Sequence, residues 1–136
     1  KKTKKARDIN RRNFSARQIN LFLKNENCKE YKVFKKIYYL LKKRNNEKAF
    51  DPKGEQKILF FKKTIFSIIR TSPDKKENIL VFINITNKKE NIKFNSQKLN
   101  KKLEKFLDIL SKEILYKKQN SFTIELKPYQ VRWLKY

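Results

Sequence analysis

Apolar residues recur at helical spacing up to Asn45 and at strand spacing beyond residue 54, and the single glycine of the chain, Gly54, stands at the change. It closes Asp51-Pro52-Lys53-Gly54, a turn signal in which proline presets its own backbone angle and glycine tolerates a left-handed one. A chain divided in this way is expected to place helices first and an antiparallel sheet second. Its 136 residues leave room for one domain, or for the end of one and a small second. They cannot hold a complete (β/α)8 barrel, which needs about 200 residues or more.

Ahead of the turn, Ser15 with Gln18 three positions later matches a capping box, in which hydroxyl and amide satisfy backbone donors left open at a helix start. A short helix from about Ala16 to Lys24 is expected, with Ile19, Leu21, Phe22 and Leu23 supplying its apolar face. From Glu30 to Asn45 the residues Val33, Phe34, Ile37, Tyr38, Leu40 and Leu41 recur at helical spacing with lysines between them, which predicts a second, stronger helix. Strands are predicted at Lys57 to Phe61, Ile65 to Arg70, Ile79 to Ile85, Asn91 to Phe94, Phe122 to Leu126 and Val131 to Leu134. The alternation of Phe122, Ile124 and Leu126 with Thr123 and Glu125 marks a strand with one wet face. Phe106 to Leu110 and Ile114 to Tyr116 suit helix or strand by composition, and a turn at Ser111-Lys112-Glu113 favours strands. Pro128 belongs at a strand start or an edge because it cannot donate to an inner ladder, and Trp133 reads as a packing residue. The fold class is therefore α+β: an N-terminal loop and helices followed by a small antiparallel β-sandwich.

The chain has no His and one Cys, which removes the commonest general base and rules out an internal disulfide or a zinc cluster. No apolar run approaches the length of a membrane span, and the opening lysines are not followed by a signal-peptide core, so a cytoplasmic location is the default. Lys at the first position and the absence of Met lead us to expect a piece of something longer. With 37 Lys+Arg against 13 Asp+Glu, the formal charge is +24. Such a balance has two readings: a small basic nucleic-acid-binding module, or lysines solvating turns in a chain drawn from AT-rich codons. The pairs Lys62-Lys63, Lys75-Lys76, Lys88-Lys89, Lys101-Lys102 and Lys117-Lys118 fall mostly between apolar runs. Successive turns of a meander lie at opposite ends of a sheet, which favours solvated turns over one nucleic-acid groove.

Glycoside chemistry needs two carboxylates about 5 to 10 Å apart on one sugar. The acids here are scattered through helix, turns and expected wet faces, and no pair claims that role. Asp8 is the acid in the densest polar run, flanked by Arg7, Asn10, Arg11 and Arg12, and on spacing alone it reads as a salt-bridged loop anchor. Arg11 and Arg12 present forked donors suited to phosphate or carboxylate, or to water. Asn84-Ile85-Thr86 matches a glycosylation acceptor by chance, and Cys28 has no base partner to make it a nucleophile. One glycine cannot build a phosphate-cradling loop. No metal site and no cofactor are indicated.

The order of the pieces carries more than any one of them. Arg7-Asp8-Ile9-Asn10-Arg11-Arg12-Asn13-Phe14-Ser15, then Arg44-Asn45 leading to Ala49-Phe50-Asp51-Pro52, then Phe66 to Arg70, Val81 to Thr86, and Leu126 to Leu134, resembles the end of a sucrose phosphorylase-type enzyme of the alpha-amylase superfamily. The resemblance implies that residues 1–53 are the end of a catalytic barrel, a substrate loop and last helix, and that residues 54–136 are a terminal antiparallel β domain. It implies a retaining double displacement in which glucosyl passes between an alpha-glucoside and phosphate, with the catalytic carboxylates upstream and none in this chain. By the same resemblance Arg11 would hold glucosyl hydroxyls, and Asp8 and Asn10 would shape that loop. Sucrose phosphorylases proper often carry His and aromatics after this motif. Here Arg12-Asn13-Phe14 follow, as in relatives acting on glucosylglycerate or phosphorylated sucrose, which would set Arg12 near an anionic acceptor. The implied partners are the sugar, phosphate and the preceding barrel, without which the segment would be inactive.

Overall fold

The computed structural model describes residues 13–99 and 101–136, and the chain forms two compact units, Lys1–Leu41 and Lys42–Tyr136. In the first, α1 spans Ala16–Lys24 and α2 begins at Lys29, running on to Asn45. The predicted capping box is present: the Ser15 hydroxyl accepts from the Gln18 amide and the Gln18 side chain accepts from the Ser15 amide at 2.9 Å. At the start of α2 the Cys28 sulfur accepts from the Tyr31 amide at 3.3 Å, so the thiol serves as a local cap. Neither helix buries a residue, and Ile19, Leu21, Leu23, Val33, Phe34, Ile37, Tyr38 and Leu41 are all exposed.

The second unit holds eight described strands: β1 Glu55–Lys62, β2 Ile65–Thr71, β3 Asn78–Asn84, β4 Glu90–Phe94, β5 Lys105–Asp108, β6 Ile114–Tyr116, β7 Phe122–Leu126 and β8 Val131–Lys135. Six form a sheet in the order β1-β2-β3-β8-β5-β6, and β4 pairs with β7, every pairing antiparallel. The expected sandwich and every expected strand are there. Inward residues alternate along each strand, and Leu80, Phe82 and Leu134 of the large sheet meet Ile92, Phe94, Phe122 and Ile124 of the small one. Ring centroids in this layer lie 4.6 Å apart for Phe106 and Phe122 and 5.8 Å for Phe82 and Phe94, distances at which aromatic pairs add to simple burial.

The other face of the large sheet follows from the register. Ile58 pairs with Ile68, Ile68 with Val81, and Val81 with Trp133, so all four share it. Ala49 and Phe50 lie over one end, where Ile79, Val81 and Ile109 form a second core and Phe50 packs on Trp133 at 4.6 Å. At the far corner Ile58 and Phe60 remain 70% and 72% exposed.

Two expectations need correction. Gly54 does not have a positive φ; its need for no side chain comes from a close approach, because a Cβ there would stand 2.4 Å from the Thr71 carbonyl oxygen. The left-handed positions fall instead on Lys75, Lys112, Gln119, Asn120 and Tyr129. Gln119 and Asn120 turn the chain between Lys118 and Ser121, whose backbones exchange hydrogen bonds of 2.8 and 2.9 Å. The strand expected over Phe106 to Leu110 stops at Asp108, because that side chain turns inward to accept from the Leu110 amide at 3.0 Å. Lysines from four of the five turn pairs find acids: Lys62 with Glu90, Lys75 with Glu55, Lys89 with Glu125 and Lys117 with Glu104.

Candidate functional site

Asp8, Asn10, Arg11 and Arg12, the residues singled out for substrate binding, lie outside the described residues. The site that can be built from geometry is in the second unit, where three polar assemblies hold segments distant in sequence.

The first clips residues 47–54 to the sheet. Arg70, at the end of β2, donates to the carbonyls of Ala49 at 3.3 Å and Asp51 at 2.7 Å, and to the Gln56 side chain at 2.9 Å. Glu77 accepts from the Ala49 amide at 2.8 Å. Lys135 donates to Glu47 and Glu77, each at 2.6 Å. Burial works against ionising Glu77, but hydrogen bonds from Lys135 and the Ala49 amide outweigh it, and its carboxyl titrates below the ordinary range. Lys135 is the mirror case: burial opposes its charge, the two glutamates overcome that, and its ammonium is held above the usual value. Two carboxylates converging on one ammonium tie residues 47 and 77 to the last strand.

The second is a buried ion pair. Arg132 donates through Nε to Asp108 at 2.6 Å and through a terminal nitrogen to Glu113 at 2.6 Å, while Asp108 also accepts from the Leu110 amide. Asp108 is therefore an inward acid, engaged by both Arg132 and the Leu110 amide. Asp8 had drawn attention through its neighbours in sequence; Asp108 and Arg132 are 24 positions apart, and no local run announces them.

The third centres on Asn84. Its Nδ2 donates to the carbonyls of Lys88 at 2.7 Å, Lys127 at 2.9 Å and Leu126 at 3.3 Å, and its Oδ1 accepts from Thr86 twice, at 3.0 and 2.8 Å. The Asn-Ile-Thr match thus marks a side chain that ties the end of β3 to the end of β7. The amide is buried, with every hydrogen-bonding atom used.

Among the described residues no group of three or more potential metal ligands comes together. A pocket of about 410 Å³ beside the clip is lined by Lys48, Asp74, Lys76, Glu77, Lys135 and Tyr136, and its acid nearest the sheet, Glu77, is already spent on Lys135 and Ala49. These assemblies position backbone.

Comparison with known proteins fits that picture. No protein-family model matches the chain. A glucosylglycerate phosphorylase from Spirochaeta thermophila is 30% identical over 138 residues, which cover 98% of this chain and 24% of that enzyme. A crystal structure of an AmyP variant in complex with maltotriose superposes with a TM-score of 0.71 at 15% identity, covering 82% of this chain and 22% of that one. An alpha-amylase from Geobacillus thermoleovorans in complex with acarbose gives a TM-score of 0.51 at 17% identity, over 60% of this chain and 18% of that one. The chain spans about a quarter of the length of the curated relative, along nearly its own full length, and the fold recurs in amylases. The chain is thus similar, along nearly its whole length, to one part of a glucosylglycerate phosphorylase.

Proposed function

We propose that the protein carrying this chain is a cytoplasmic glycoside phosphorylase, moving a glucosyl unit between an alpha-glucoside and phosphate with retention of configuration. The observation that supports this reading is the 30% identity to a glucosylglycerate phosphorylase along 98% of the chain. Residues 1–53 would close the catalytic barrel and residues 54–136 would form the appended β domain. The nucleophilic aspartate and the acid glutamate would come from the preceding part, so the 136 residues alone would be inactive. Arg11 would donate to glucosyl hydroxyls, Asp8 and Asn10 would hold its loop, and Arg12 would face an anionic acceptor such as glycerate.

The test is release of glucose 1-phosphate from glucosylglycerate, phosphorylated sucrose and sucrose in the presence of phosphate. The longer protein should turn over at least one of them, and this chain alone none. Turnover by the isolated chain, or failure of the longer protein on all three, contradicts the reading. In the longer protein Arg12→Ala should weaken the preference for an anionic over a neutral acceptor; an unchanged preference removes Arg12 from that role.

A further inference from the structure

Lys101-Lys102 is the turn pair that meets no carboxylate among the described residues. Lys101 opens instead onto a pocket of about 180 Å³, which Lys57 of β1 and Lys98 of the helical turn Ser96–Leu99 also line. Register puts Lys57 on the sandwich-facing row of the large sheet, since it pairs with Ile69, Ile69 with Leu80 and Leu80 with Leu134. Like charges gathered on one small pocket repel each other, and elsewhere in this unit acids offset such charges. Here aromatic rings take their place. The Lys98 ammonium stands 4.8 Å from the ring centroid of Phe61, and that of Lys101 stands 5.3 Å from the ring centroid of Tyr136. A ring face positions a cation through its quadrupole and leaves N–H donors for a ligand.

A buried amide joins these cations. Asn78, at the start of β3, is 7% exposed and lines the same pocket. Its Oδ1 accepts from the Thr71 hydroxyl at 2.9 Å, which leaves Nδ2 as a donor with no acceptor among the described residues. A buried donor left without an acceptor is costly, and a ligand oxygen would remove that cost. Glu55, the acidic side chain at the rim, is turned to Lys75 at 3.2 Å. Converging donors of net positive charge suit an oxyanion, and the volume lies below the roughly 300–1,000 Å³ of sites that enclose drug-sized ligands. We propose that Lys57, Lys98, Lys101 and Asn78 form a binding site for phosphate, either the free ion or the terminal group of a phosphate ester. The site does not depend on the proposed reaction.

The test is a nuclear magnetic resonance titration of the 136-residue chain with inorganic phosphate, and separately with glucose 1-phosphate, at constant ionic strength in chloride. Saturable shifts should gather at Lys57, Asn78, Lys98 and Lys101. A response to inorganic phosphate alone assigns the free ion, a response to glucose 1-phosphate as well admits the ester, and either supports the site. In the double variant Lys98→Gln with Lys101→Gln, affinity for inorganic phosphate should fall about tenfold or more through loss of two charge-assisted contacts. Lys93→Gln with Lys127→Gln removes the same charge away from the pocket and should leave affinity within about twofold, because screening by salt weakens distant charges. All four lysines are exposed, so both variants should keep the parent fold. Lys57→Gln alone should weaken binding several-fold. An equal fall in the two double variants, shifts spread over all the lysine turns, or no saturable response would each overturn the proposal. So would a short single-stranded oligonucleotide that binds the same residues more tightly than phosphate, since that outcome would favour a nucleic-acid surface.

Discussion

Arg132 and Asp108 form a 2.6 Å ion pair inside the sandwich, joining the penultimate turn of the sheet to its last strand, and both side chains are almost wholly buried. Removing one partner strands the other charge away from water, at a cost of about 3–5 kcal/mol, whereas replacing both with apolar groups of similar volume is often far milder. Asp108→Ala and Arg132→Met alone should therefore each cost about 3–5 kcal/mol in urea unfolding, and the double change less than the sum of the two. Strict additivity would show that the pair is not coupled.

Asn84 gives a prediction with a defined order. Asn84→Ala removes the donor to three carbonyls and should cost about 1–3 kcal/mol. Asn84→Asp replaces that donor with a second acceptor aimed at the same carbonyls, so it should be the more damaging of the two despite being nearly isosteric. Denaturant midpoints of the two variants, ranked the other way, would refute the clamp.

Gly54 should resist the usual benefit of alanine. Where backbone angles allow it, Gly→Ala stabilises by about 0.4–1 kcal/mol through the unfolded chain. Here the new methyl would press on the Thr71 carbonyl, and forcing such a contact costs about 1–3 kcal/mol. Gly54→Ala should lower the melting temperature; a rise would mean that the turn relaxes freely.

The clip sets the pH dependence at both ends. Glu77 has a depressed pKa when folded, so its contribution is complete above the ordinary 4.5 and is lost as pH falls through the lower folded value. Lys135 has a raised one, so its contribution is complete below 10.5 and is lost as pH rises through the higher folded value. Tyr136, pushed up by burial from 10.0 to about 12, must stay protonated in the folded chain and adds to the alkaline loss between those two values. Glu77→Gln should flatten the acid limb of a stability profile. Tyr136→Phe should flatten part of the alkaline limb and delete the last phenolate to appear in an ultraviolet titration. Unaltered limbs would contradict these assignments.

Most of the architecture was legible because it rests on local signals. Ser15 and Gln18 announce α1, apolar spacing announces α2, and alternation marks each strand within two residues or so of its ends. What escaped depends on partners distant in the chain. The inward pairing of Asp108 escaped because Arg132, its partner, comes 24 positions later. Asn84 looked like a glycosylation match because its acceptors at Leu126 and Lys127 lie more than 40 positions away. The clip was half visible: Ala49-Phe50-Asp51-Pro52 and Arg70 both stood in the family pattern, but nothing local joins them to Glu77 and Lys135. The run from Asp8 to Arg12, singled out by resemblance for substrate binding, lies outside the described residues.

The central claim, that this chain completes an enzyme which passes glucosyl to phosphate with retention, is tested most directly by nuclear magnetic resonance of the product. Phosphorolysis of glucosylglycerate by the longer protein should yield alpha-glucose 1-phosphate as the first-formed anomer. Formation of the beta anomer, or of free glucose with phosphate unconsumed, would contradict it.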